Sequence, residues 1–292
     1  MITVRLKGGM GNQMFQYAFA RGISARLNTS MKMDCSLLLD RARGTDVVYR
    51  DYDLDIFNVE QNFSINPEII RNIFRVRSAR LGKWSRSLVA SGKNYKKEKH
   101  FHLDVDLIKK PEDNSLYDGW WQSESYFENV KSTIRKDFTF KDEILPVSYE
   151  LYDKIATTNS ICLNVRRTDF VSNPTLNATN ATYFDKAVKY ITNQVEEPHF
   201  FVFSDDMYWC EENLRFDHPV DFVHHQNKGR KFGNYLQLMK SCRHFIIPNS
   251  SFAWWAVWLS EHKNKIVIAP KNWFNDPTFN TSDLVPPDWL RL

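Results

Sequence analysis

Four polar clusters carry most of the chemistry this sequence could perform. Arg166-Arg167-Thr168-Asp169, Ser204-Asp205-Asp206, His224-His225 and Asn249-Ser250-Ser251 each directly follow a short apolar, β-rich run. A guanidinium meets phosphate oxygens in a two-point geometry that an ammonium cannot offer. Adjacent arginines are common on surfaces, but Arg166 closes the apolar run SICLNVR, where a charge needs a partner. Asn249, Ser250 and Ser251 open the apolar stretch FAWWAVWLS, read as a helix buried nearly all round. Its first turn would offer amides and hydroxyls to an anion, although ordinary capping explains a serine there too. Asp205 and Asp206 could accept hydrogen bonds from ribose hydroxyls or a base edge, or cap the following helix. His224 and His225 have no metal-ligand spacing to other His or Cys, so at most one is read as a ligand contact. Together the clusters suit a nucleoside diphosphate.

A second set lies near the amino terminus. Gly8-Gly9-Met10-Gly11-Asn12-Gln13-Met14 joins a strand-like ITVRLK to a helical pattern over 12–27, and the glycines permit close approach of a ligand to the backbone. As a dinucleotide fingerprint it fails at Met14, and it lacks the Gly-Lys-Ser/Thr of a P-loop. The acidic triplets Asp51/Asp53, Asp53/Asp55 and Asp104/Asp106 resemble metal-binding D-x-D pairs. Such triplets arise readily by chance among 35 acidic residues, and DYDLDIF alternates like a half-exposed strand, so no metal site is expected.

The elements that must position these groups are most legible in the second half. SICLNVR, HFFVFS, VDFVHH, HFIIPN and KIVIAP alternate with helical stretches such as ATYFDKAVKYITNQV and NYLQLMKSC. Near-continuous apolar strands alternating with helices imply a parallel sheet covered on both faces. In such sheets ligands bind outside the carboxyl ends of the strands, which is where all four polar clusters fall. The expected division is an N-terminal α/β domain over 1–155 and a Rossmann-like domain over 156–292, with KDEILPVSYELYDKIATTNS as the linker region. Residues 60–115 are polar and ambiguous.

A chain of 292 residues is long enough for two such domains. Its nine Trp exceed ordinary core needs, and sugar-stacking surfaces are one outlet. The cysteines, Cys35, Cys162, Cys210 and Cys242, are far apart and suggest neither a zinc knuckle nor a disulfide scaffold. A strand beginning at Ile2 and the lack of any apolar run of spanning length lead to the expectation of a cytoplasmic protein. Net charge is +4, yet 71–100 holds ten Lys/Arg against the single acid Glu98, so the remainder is net negative. Ile69, Ile70, Ile73, Phe74, Leu81, Trp84 and Leu88 recur near helical spacing among those bases. A basic amphipathic helix of this kind is a candidate for peripheral contact with an anionic membrane, at the inner face, beside the plainer reading of a solvated helix packed on the core. Nucleic-acid binding would leave the polar strand ends unexplained and is not expected.

GGMGNQMFQYA at 8–18, VRRTD at 165–169 and NSSFAWWAVWL at 249–259 resemble the hallmark segments of glycosyltransferase family 11, the α-1,2-fucosyltransferases, and DGWWQSESYF at 118–127 looks like a further one. The resemblance implies a GT-B architecture, two Rossmann-like domains facing a central cleft. It also implies GDP-fucose as co-substrate, no cofactor or obligatory metal, and inverting transfer to the 2-hydroxyl of a terminal galactose. Lactose, N-acetyllactosamine or an O-antigen-type end are the candidate acceptors. Arg166 and Arg167 fall on the arginine pair associated with the donor diphosphate. Asn164 stands where the family motif usually has His, so a titrating imidazole is excluded there.

The site expected from residues and resemblance together has three parts. Arg166, Arg167 and Asp169 are catalytic, the arginines stabilising the leaving phosphate and Asp169 a candidate general base that two neighbouring arginines would make a weak one. Asn164, Ser204, Asp205, Asn249, Ser250 and Ser251 bind the donor. Gly9, Gly11, Asn12, Trp120, Trp121 and Gln122 line the acceptor side. The alternative is a catalytically inactive relative that binds a nucleotide sugar or carbohydrate, a reading kept alive by Asn164.

Overall fold

The computed structural model describes residues 1–40, 49–65, 87 and 92–292. The chain divides into two compact units, Met1–Lys141 with Asn280–Leu284, and Asp142–Phe279 with Val285–Leu292. The basic amphipathic pattern between Ile69 and Leu88 lies outside the described residues, except for Ser87.

The first unit is built on a four-stranded parallel sheet in the order β2-β1-β4-β3, formed by Ile2–Arg5 (β1), Met31–Asp34 (β2), Asn94–Lys97 (β3) and Ser115–Asp118 (β4). Ile2, Val4 and Leu6 are fully buried, as expected of a central parallel strand. Helix α1, Met10–Arg26, follows β1 and buries Met14, Phe15, Ala18, Phe19 and Ile23. It approaches the following layer so closely that a Cβ on Gly22 would stand 2.2 Å from the carbonyl oxygen of Tyr126. Two short helices, α2 (Val105–Lys109) and α3 (Lys131–Asp137), complete the described part.

The second unit carries a six-stranded parallel sheet in the order β10-β9-β8-β5-β6-β7. Its strands are Asn159–Val165 (β5), Pro198–Ser204 (β6), Val220–Val223 (β7), His244–Ile246 (β8), Val267–Ala269 (β9) and Leu290–Arg291 (β10). Chain order runs outward from β5 through β6 to β7, then returns to the other side of β5 as β8 and continues to β9 and β10. The reversal makes the β5/β8 junction the topological switch point, where an open α/β sheet has its crevice. The helices are α4 (Tyr149–Thr157), α5 (Thr168–Val171), α6 (Ala181–Thr192), α7 (Met207–Asn213), α8 (Gly233–Ser241) and α9 (Ser251–Leu259). Ile161, Leu163, Phe200, Val202, Ile246 and Ile268 form the core under α6. In α9 every residue from Ala253 to Leu259 is buried, which explains its all-round apolar sequence. All four cysteines are buried thiols outside any disulfide.

Three expectations need correction. The unit boundary falls between Lys141 and Asp142 rather than at 155, and Asn280–Leu284 group with the first unit. The expected linker is in fact structured: Pro146–Ser148 form a 3-10 turn and Tyr149–Thr157 form α4, which buries Ile155 and pairs Lys154 with Asp221 beside the sheet. DYDLDIF does not form a strand; Leu54–Ile56 make a 3-10 turn that buries Leu54 and Ile56.

Candidate functional site

At the carboxyl edge of the second sheet, register brings the expected residues together. Val165 lies opposite Ser204 and Leu163 opposite Ile246, so the residues leaving β5, β6 and β8 emerge from one edge of the sheet. There the two arginines sit in a lattice of carboxylates. Arg166 pairs through Nη1 with Asp205 at 3.0 Å and through Nη2 with Asp169 at 2.5 Å. The partner demanded by a charge at the end of an apolar strand is thus present twice over. Arg167 donates from Nε to Asp206 at 3.2 Å and lies 4.0 Å over the Trp209 ring. Among the described residues the Arg167 side chain donates through Nε alone.

Asp205 also accepts from the Arg167 and Thr168 amides, fixing the turn that aims both guanidiniums. Asp206 caps α7 through the Trp209 amide, and its own amide donates to the Ser204 hydroxyl. The capping use of this acidic pair therefore exists alongside its arginine contacts. His225 Nε2 lies 3.0 Å from the Ser204 carbonyl oxygen, joining the β6 and β7 ends, whereas His224 is exposed and faces Glu211 at 3.4 Å. Asn164 is buried and donates to the Phe203 carbonyl at 3.0 Å, acting as a strap between β5 and β6.

On the other side of the switch point, Asn249 donates from Nδ2 to the carbonyls of Leu176 and Trp273, tying two loops beneath the start of α9. Ser250 is the residue before the first turn of α9, and its hydroxyl does not cap that turn. Tyr183, on α6, fixes the β8 end by donating to the Ile247 carbonyl at 2.6 Å. Burial pushes its phenol well above the ordinary range.

The first unit has its own polar edge. Buried Arg5 bridges Asp34 at 2.8 Å and Asp118 at 3.0 Å, and Lys7 reaches Asp118 at 2.9 Å. Burial would raise the Asp118 carboxyl, but the Lys7 and Tyr95 hydrogen bonds and the Arg5 charge outweigh it, so the net direction is downward. Gly8 takes a left-handed φ of 77°, and a Cβ there would meet Asn12 Nδ2 at 2.5 Å and the Trp120 ring at 3.0 Å. Gly9 precedes α1 in extended backbone and has open space where a side chain would be. Gly11 is buried inside α1, and Asn12 accepts from Gln122 at 2.7 Å.

Two residues here escaped the sequence reading. Gln13 holds Gly8 and the 51–53 segment through its amide group, and Gln16 bonds both the Lys7 backbone and the Gly119 carbonyl. The available signal was two glutamines at helical i, i+3 spacing within an otherwise apolar stretch.

The adjacent tryptophans separate. Trp120 is 36% exposed with the Lys7 ammonium 4.8 Å from its ring centre, while Trp121 is fully buried and stacks on Phe19 at 4.3 Å. Trp121 belongs to the core and has no face to offer a ligand, correcting its place on the expected acceptor side. The left-handed φ of 55° at Trp121 turns the chain between the two rings, a conformation that costs about 1–3 kcal/mol in a bulky residue. Of the acidic triplets, Asp104 caps α2 through the amides of Asp106 and Leu107.

The sequence model of glycosyl transferase family 11 matches residues 83–292. The chain belongs to glycosyl transferase family 11. An alpha-1,2-colitosyltransferase of Escherichia coli is 31% identical, with 100% of this chain and 99% of that protein covered. The O-antigen biosynthesis glycosyltransferase WbnK of Escherichia coli is 30% identical over 98% of this chain and 99% of its own length. Galactoside alpha-(1,2)-fucosyltransferase 1 of Rattus norvegicus is 25% identical over 56% of this chain and 44% of that protein. Among solved structures, an Arabidopsis thaliana FUT1 variant in complex with GDP superposes with a TM-score of 0.51 at 13% identity, over 98% of this chain and 75% of that one. NodZ alpha-1,6-fucosyltransferase co-crystallised with GDP gives 0.50 at 13% identity, over 88% and 91%. At such identities the likeness shows the fold, two parallel-sheet α/β units of the GT-B type. Among the described residues of this family 11 glycosyltransferase, no helix is long and apolar enough to cross a membrane.

Proposed function

We propose that this enzyme transfers L-fucose from GDP-fucose to the 2-hydroxyl of a terminal galactose, inverting the anomeric carbon. The observation that carries the reading is the arginine pair that leaves β5, the strand at the switch point with β8, and is held by the carboxylates of Asp169, Asp205 and Asp206. As the acceptor oxygen bonds to the anomeric carbon, the bond to the β-phosphate oxygen breaks and GDP leaves with the electron pair. Negative charge grows on that phosphate, and catalysis consists of stabilising it more in the transition state than in the bound donor. Guanidiniums fixed in advance need no reorganisation at that moment. The Nη groups of Arg167 are the donors a diphosphate would meet first, with the amides of the α9 first turn opposite.

Asp205 and Asp206 hold Arg166 and Arg167 in place and are the acceptors nearest to them for hydroxyl groups of the donor. Asn164 acts structurally, through its strap to β6. Asp169 serves to orient Arg166 rather than to take the acceptor proton, since it is bonded to Arg166 Nη2. Trp120 supplies the aromatic face for galactose, next to Gly9, Gly11, Asn12 and Gln122.

Arg166→Ala and Arg167→Ala should each abolish turnover with secondary structure retained by circular dichroism; near-wild-type rates in both would overturn the assignment. Asp169→Asn should lower kcat about tenfold, because Asp205 still holds Arg166. A loss of about 10²–10⁴-fold together with a vanished acidic limb in the pH–rate profile would instead make Asp169 the base.

A second donor is favoured by one observation, the full-length likeness to a colitosyltransferase. Colitose is fucose without its 3-hydroxyl, so the same lattice would serve either sugar. The ratio of kcat/KM for GDP-fucose and GDP-colitose decides between them. GDP binding without transfer to any galactoside would indicate the non-catalytic relative.

A further inference from the structure

Glu98 follows β3 and points both carboxylate oxygens at the turn after β4. Its Oε2 accepts from the Trp120 amide at 2.8 Å and its Oε1 from the Trp121 amide at 2.9 Å. The backbone of Glu98 continues the β3/β4 ladder by donating to the Asp118 carbonyl at 2.9 Å, so the clamp is anchored to the sheet. Contact is close because position 119 is glycine: a Cβ there would lie 2.6 Å from both the Glu98 Cβ and the Trp121 ring. The clamped peptide is the one that sends neighbouring indoles in opposite directions, Trp121 into the core and Trp120 outward. Trp120 is further fixed by the Lys7 ammonium on one side and by the side-chain-free Gly8 beneath it.

We propose that Glu98 is a positioning residue for the acceptor, a two-point carboxylate clamp that sets the orientation of the Trp120 ring on which the galactoside stacks. The proposal rests on Trp120 being the acceptor platform, as argued above. Both partners of Glu98 are N–H donors, so the clamp needs a group that only accepts. An ionised carboxylate is such a group, whereas a glutamine of the same shape turns an NH2 toward one of the amides. Glu98 does not face the reacting atoms in this role. It acts through Trp120 alone, and its loss is felt in acceptor affinity rather than in the chemical step.

The test is a double-mutant cycle on the intact chain, with Glu98→Gln, Trp120→Ala and the pair, measuring acceptor KM, kcat and the Kd of GDP. Glu98→Gln should raise acceptor KM about tenfold, the loss of one charge-assisted bond, with kcat and GDP affinity within about twofold of wild type. Trp120→Ala should raise acceptor KM at least as much, and adding Glu98→Gln to it should change little further. If Trp120→Ala leaves acceptor KM unchanged, the platform itself is wrong and the proposal falls with it. If Trp120→Ala raises KM but Glu98→Gln does not, or if their effects simply multiply, the platform survives and the clamp is overturned.

An NMR measurement on the wild type stands independently of how the variants fold. Burial raises the Glu98 carboxyl, opposed by its two amide bonds and by the Lys7 and His100 charges that face it. The Trp120 and Trp121 amide protons should therefore shift together as Glu98 protonates, at a pH above the ordinary carboxylate range. Amides insensitive to that titration would refute the clamp.

Discussion

Trp120 and Trp121 are adjacent and chemically identical, yet the fold gives them opposite tasks. Trp121→Ala should lower stability by about 3–5 kcal/mol, read by urea unfolding, because it empties the space stacked against Phe19 and edged by Tyr117 and Tyr126. Trp120→Ala should leave the unfolding midpoint within error and act on acceptor KM. Equal destabilisation by the two substitutions would show that Trp120 is also core. Nothing in the dipeptide distinguishes them, because the distinction lies in a left-handed backbone angle at 121. The arginines were legible for the opposite reason. A charge ending a buried strand requires a partner, and the acids that answer, Asp169, Asp205 and Asp206, sit at predictable places after β5 and β6. Glu98 gave no such signal: it is one acid within a basic segment, and its partners are backbone amides 22 and 23 residues away.

At the scale of elements, the strand-turn-helix unit β1-Gly8-Gly9-α1 shows what each glycine does. Gly8→Ala should be costly, since its left-handed φ and the 2.5 Å approach to Asn12 leave no room for a methyl group. Gly9→Ala should be tolerated in stability, with open space and extended backbone at that position. Thermal midpoints of the two variants check this, and a Gly9→Ala drop as large as that of Gly8→Ala would contradict it. The five apolar strands of the second unit were readable because a parallel sheet covered on both faces writes itself as continuous β-branched and aromatic runs. The first unit was harder. Its β2, β3 and β4 are four residues each, and β3 is an exposed edge strand reading Asn-Tyr-Lys-Lys, which has no apolar pattern to find. The two-residue β10 was missed on the same grounds.

For the molecule as a whole, stability and activity should respond to pH through different groups. Asp118 has a carboxyl held below its ordinary value of 3.8, so it contributes stability above that pH and loses the contribution as pH falls through its folded value. Asp118→Asn should cost about 3 kcal/mol near neutrality by leaving Arg5 and Lys7 short of a carboxylate. In a pH series of urea unfolding curves the gap from wild type should close below about pH 4; a gap independent of pH would show that the charge is not what matters.

The transfer reaction itself bears on the central claim, that an arginine pair at the switch point of the second unit drives departure of GDP as fucose passes to a galactose acceptor. The most direct measurement is GDP release from GDP-fucose in EDTA, with and without lactose or N-acetyllactosamine, alongside mass spectrometry of the sugar product, for wild type and Arg167→Ala. Acceptor-dependent release with a fucosylated product in the wild type, and none in the variant, is the predicted result. Undiminished transfer by Arg167→Ala, or GDP bound tightly by the wild type with no galactoside ever fucosylated, would contradict it.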